Sequence, residues 1–187
     1  MIQCVQAAQY TWTHAKLQVE YGPWLFLRNL AIIHRLASLK FDLEKEFWRA
    51  AVLRIGLIRW VMLCMTELGP PRSVKVIAPR LKKALDKCRV RQESWLSHAG
   101  ILTWILTVGA TTSFGLPEER FFISQPAAVT GILRVRSEQQ LHEFSQRYLY
   151  LERLQRKSLA ILAKKLREFD RLLPPTFSRS TQKGPVT

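Results

Sequence analysis

Eight cations fall between Arg72 and Arg91, namely Arg72, Lys75, Arg80, Lys82, Lys83, Lys87, Arg89 and Arg91, and Asp86 is the single acid among them. The chemistry open to such a run is electrostatic. A helix this dense in Lys and Arg can contact phosphates, each contact adding salt-sensitive affinity without sequence information. Val74, Ile77, Leu81 and Leu85 recur at helical spacing, which places an apolar stripe on one side and leaves the cations to face solvent together. The same run also reads as the solvated face of a basic protein. Aromatic residues do not interleave with these cations, so no stacking platform for single strands is expected.

Bond-breaking chemistry has less support. His14, His34, His98 and His142 show no pair at ligand spacing with a third donor nearby, so neither a metal nor another cofactor is expected. His98 reads as a polar residue hydrogen-bonded within a core. Ser94, Ser97 and Ser113 sit in no Gly-x-Ser-x-Gly elbow, and no glycine-rich phosphate loop occurs. Glu118 and Glu119 follow Pro117 in what reads as a helix's first turn, where the dipole stabilises carboxylates. That role accounts for them better than general acid–base catalysis, and a non-enzyme is expected. Cys4, Cys64 and Cys88 are odd in number and far apart. They suit neither a zinc site nor a disulfide framework, and a reduced, intracellular compartment follows.

The elements that must position these groups are helical. The 187 residues are 48% hydrophobic with only eight glycines and a net charge of +15, which suits one domain with a packed core and an attraction to polyanions. Residues 1–22 are weakly patterned and end at the breaker Tyr21-Gly22-Pro23. Leu27, Leu30, Ile33 (or Ala31), Leu36 and Leu39 then repeat at helical spacing. Asp42 is placed to cap a helix running to Glu67, with Phe47, Ala51, Ile55, Ile58, Met62 and Met65 on one face. Ser73–Arg91 forms the basic helix, which either begins at Pro79 or kinks there.

Ser94–Pro117 is uncharged and long enough to span a bilayer. Its many Ser, Thr, Gly and His positions make it a poor span, and a buried central helix is predicted over Gln92–Thr112, with Trp95 and Trp104 in the core. Glu118–Leu133 continues as a helix, with Pro126 opposing its second half. Ser137 and Gln140 form a capping-box pattern for another. Tyr148–Leu173 carries Leu151, Leu154, Ser158, Ile161, Lys165 and Phe169 along one line, widened by Leu162, Leu166 and Leu173. FFIS and ILRVR are short enough to be local extended pieces. The reading is an all-α domain of about six to eight helices over residues 23–173, with a disordered basic tail at 174–187.

The order of elements carries a resemblance. Leu81-Lys82-Lys83-Ala84-Leu85 precedes Leu102-x-Trp104-x-Leu106-x-x-Gly109, which is followed by Gly115, Glu119, Arg120 and Phe122. This succession resembles the carboxyl-terminal part of the regulatory, or middle homology, region of fungal zinc-cluster transcription factors. The match covers about residues 45–130 and fades toward about 170. The resemblance implies a nuclear regulatory domain that works through contacts with proteins of the transcription machinery or with its own copies. It implies structural roles for the matched residues: Gly109 admits a neighbouring helix to the Trp104 face, Arg120 anchors a helix start by an ion pair, and Phe121 or Phe122 fills the core. The family's DNA reader, a cluster of six cysteines, is not in this sequence. Nucleic-acid contact is therefore expected to be non-specific, and no membrane partner is expected.

Overall fold

Seven helices and no strands make up the described part of the computed structural model, which covers residues 6–7, 10–11, 14–39, 48–65, 72–90, 95, 98–132 and 137–172. They are α1 Ala15–Ser38, α2 Trp48–Met65, α3 Arg72–Val90, α4 Ala99–Thr111, α5 Glu119–Ile132, α6 Glu138–Gln146 and α7 Glu152–Leu172. The all-α expectation holds. None of the described helices is long and apolar enough to cross a membrane. The Asp42 cap, Cys4 and the 174–187 tail lie outside the described residues.

Two helices form the spine. α4 buries every residue from Thr103 to Thr111, as its uncharged sequence predicts. It packs on α2, α5 and α7, while α2 packs in turn on α1 and α3. Between Ala50 and Met65 the only charged residues are Arg54 and Arg59, and a helix apolar on all sides buries all sides. Val52, Trp60, Val61 and Cys64 therefore join Ala51 and Ile58 in the core. The expected single stripe on this helix was too narrow. α5 lies along α7, and α6 closes the other end of α7.

Several expected boundaries move. Gly22-Pro23 breaks nothing: α1 begins at Ala15 and runs through Pro23. Proline removes one N–H, and the carbonyl thereby left over belongs to Val19, an exposed residue within reach of water. Pro79 likewise lies inside α3, on its exposed side, so the helix starts well before it. α5 continues past Pro126, and the FFIS segment is helical within it. α4 starts at Ala99, with His98 exposed at its N-cap rather than inside the core.

Two stripes shift in phase. On α1 the buried line runs through Leu25 and Asn29, with Ile32, Ile33 and Leu36 half-buried, while Leu27 and Leu30 face outward. On α7 the buried line is Gln155, Leu159, Leu162, Ala163 and Leu166, and Ile161 is exposed. Gln155 hid this register because it is polar. Its Oε1 accepts from the Leu151 N–H at 2.8 Å and from the Trp60 indole at 3.4 Å, which satisfies it in the core and starts the helix at Glu152 rather than Tyr148. The Ser137–Gln140 capping box forms as its spacing predicts, with bonds of 3.1 and 3.2 Å.

Candidate functional site

Arg54 and Arg59 of α2 each hold the end of another helix. Arg54 Nη1 donates to the carbonyl of Leu39, the C-cap of α1. Arg59 is 0% exposed and reaches the C-terminus of α4. Its Nε donates to Thr112 Oγ1, and its Nη2 donates to Ser113 Oγ at 2.7 Å and to the Gly109 carbonyl at 3.3 Å. Both hydroxyls pass their own protons onward, Thr112 to Val108 O at 2.5 Å and Ser113 to Gly109 O at 2.6 Å. The cation thus sits where the dipole of α4 is negative. Its guanidinium carbon lies 5.2 Å from the centroid of the Phe122 ring, within cation–π range. Burial lowers the guanidinium to about 10, against an opposing pull from Glu118, so it stays charged at neutral pH. Among the described residues its Nη1 has no hydrogen-bond partner.

The turn between α4 and α5 is held from the other side by α7. Gly115 has φ of +74°, a conformation that favours glycine. Its N–H donates to Glu119 Oε2 at 2.7 Å, and Lys165 Nζ meets Glu119 Oε1 at 2.6 Å. Glu119 therefore caps the turn, as its position in a first turn suggests. Lys165 also lies 5.7 Å from the Phe114 ring centroid. The helix start is anchored by Glu119 and Lys165; Arg120, expected in that role, is exposed. Phe122 fills the core at 0% exposure, and Phe121 meets it edge-on at 5.1 Å. Gly109 makes room for Phe122 rather than for the Trp104 face, since a Cβ there would lie 2.5 Å from Phe122 Cδ1.

The eight cations of the basic run do not act as one described face. The side chains of Arg72, Lys75 and Arg89, and the whole of Arg91, lie outside the described residues. Arg80, Lys83 and Lys87 are exposed and, at about 100° per residue, share one sector of α3. Lys82 leaves that sector: it is half-buried, with Nζ 5.5 Å from the Phe121 ring centroid. Leu81 and Leu85 are buried beneath the run as expected. Sequence reasoning missed Arg59 because its neighbours were read as one stripe. The signal was present in the two charges that interrupt the apolar run from Ala50 to Met65, which burial forces to find partners.

The junction of α6 and α7 gathers titratable groups. Glu152 Oε2 accepts from Tyr150 Oη at 2.7 Å and lies 3.0 Å from His142 Nε2, while Oε1 pairs with Arg156 at 3.0 Å. The hydrogen bond from His142, then that from Tyr150, holds Glu152 below the usual glutamate range. Lys165, then the Gly115 N–H, does the same for Glu119. Depressed carboxylates contribute stability that is full above the unfolded-state value and is lost as pH falls through the native one. Thermal unfolding followed by circular dichroism is therefore expected to show a falling midpoint below about pH 4.3. Glu119→Gln and Glu152→Gln variants should each start lower at neutral pH and lose less on acidification.

Among the described residues no three or more His, Cys, Asp or Glu side chains come together to hold a metal. Cys64 is buried, and burial pushes its thiol up, away from reactivity. What the geometry defines among the described residues is an all-α domain in which Arg54 and Arg59 tie the ends of α1 and α4 to α2. The chain matches no known family model, curated protein or solved structure.

Proposed function

We propose that this chain is a non-enzymatic regulatory domain of the kind found in fungal zinc-cluster transcription factors, working in the nucleus through protein–protein contacts and without a sequence-specific DNA reader of its own. The residues that carry the resemblance support it by their roles as a scaffold: Trp104 and Leu106 in the core, Gly109 against Phe122, Gly115 and Glu119 in the turn. The observation that carries the contact function is the outer face of α1. Trp24 is 46% exposed, Leu27 64% and Leu30 42%, and an apolar helix face open to solvent marks an interaction surface.

The partner this face fits is an acidic protein segment of the transcription machinery. Arg28 and Arg35 are exposed along the same helix, with the Arg28 guanidinium 5.3 Å from the Trp24 ring centroid. Copies of a chain with a net charge of +15 repel one another. Fused to a heterologous DNA-binding domain, the chain should change transcription from a reporter, and the W24E/L27E double variant should abolish the change while helical content stays constant. An unaltered reporter with the parent chain would sink the regulatory reading. A dimer in sedimentation equilibrium, dissociated by the same substitutions, would replace the acidic partner with a second copy.

A further inference from the structure

Helix α7 presents a charged face that neither the core nor the turn uses. Arg153, Arg156, Lys157, Lys164, Arg167 and Arg171 are all exposed, and at about 100° per residue they fall within a sector of about 100°. Neither Glu152 nor Glu168, the described acids of this helix, lies inside that sector. Glu152 is shared with His142 and Tyr150 as well as Arg156, and Glu168 sits at its edge. The cations form two clusters. Arg153, Arg156 and Lys157 are centred about twelve residues before Lys164, Arg167 and Arg171, which is ~18 Å along the helix. Ala160 lies between them, with too little side chain to hold a surface away.

We propose that this face binds duplex nucleic acid without sequence specificity, lying across the major groove with one cluster on each phosphate row. The groove is about 12 Å wide between phosphate surfaces, and a phosphate radius of roughly 3 Å on either side brings the rows to ~18 Å, the spacing of the clusters. Four of the six cations are arginines, whose forks suit phosphate oxygens. The sector holds no aromatic side chain to stack a base and no amide to read a base edge. The contacts therefore position the duplex without selecting it. Among the described side chains of α3 the exposed cations run from Arg80 to Lys87, about 10 Å, which reaches a single row. This inference is independent of the regulatory reading.

The test is anisotropy of a labelled random-sequence duplex titrated with the full chain between about 50 and 200 mM salt. The six cations are expected to contribute about 5 to the negative slope of log K against log salt, at about 0.9 per phosphate. Either R153Q/R156Q/K157Q or K164Q/R167Q/R171Q should cut the slope by about 2.7. R80Q/K83Q/K87Q, an equal loss of charge, should cut it by no more than about 1. All the substitutions are at exposed positions, and circular dichroism verifies each fold. Equal losses from the α3 and α7 variants, or no duplex binding at low salt, would overturn the assignment. So would a single strand binding as tightly as the duplex, and polyglutamate competing as well as the duplex would give the face to an acidic protein.

Discussion

Arg59→Ala is expected to destabilise the fold by about 3–5 kcal/mol, the range for breaking a buried charged network and emptying a large core site. The side chain is 0% exposed and links α2 to Thr112, Ser113 and Gly109. Removing it leaves a void beside Phe122 and takes a cation from the negative end of α4. Arg59→Met separates the two losses. Methionine fills much of the space without a charge, and burial already disfavours the guanidinium. The methionine variant should therefore lose well under half of what alanine loses. Arg59→Lys should not restore stability, because an ammonium cannot present the fork that meets both hydroxyls. Urea unfolding of the three variants ranks them. An alanine loss below about 1 kcal/mol would mean the arginine is held in place by the junction rather than holding it.

How much of this was legible in the sequence differs by helix. The burial of α4 was plain, because a run without charges offers no face to water. The capping box was plain because two residues at fixed spacing complete it by themselves. The phases of α1 and α7 were not. Both helices carry more apolar residues than one stripe needs, and each hides a polar residue in its buried line, Asn29 in α1 and Gln155 in α7. Counting apolar positions rejects those residues, whereas the Trp60 indole and the Leu151 N–H make Gln155 admissible. Lys82 shows the converse. It read as surface charge, yet its ammonium group lies near the Phe121 ring. Only the approach of α5 to its neighbours makes that possible, and local spacing does not encode it.

The same turn supplies a second large effect, and its sign follows from a competition. Alanine in place of Gly109 gains about 1 kcal/mol of helix propensity. Against this, the added Cβ would lie 2.5 and 2.6 Å from Phe122 Cδ1 and Cε1, distances at which something must move. The ring has little room: Phe122 is 0% exposed, edge-on to Phe121 and beside the Arg59 guanidinium. Nor can the backbone shift freely, since the Gly109 carbonyl accepts from both Ser113 and Arg59. Overpacking at such a site reaches about 3 kcal/mol, so Gly109→Ala should lose about 2 kcal/mol net. Gly56 is the control, for its added Cβ would meet Ile105 at 3.1 Å, a clash that a few tenths of an ångström relieves. Gly56→Ala should therefore be closer to neutral. Shortening the ring removes the conflict at Gly109. Phe122→Leu will cost stability by itself, but adding Gly109→Ala to it should cost less than in the parent chain. A coupling of about 1–2 kcal/mol in the double-mutant cycle is the expected result. Additive losses would mean that the glycine serves the backbone at the end of α4 and not the ring.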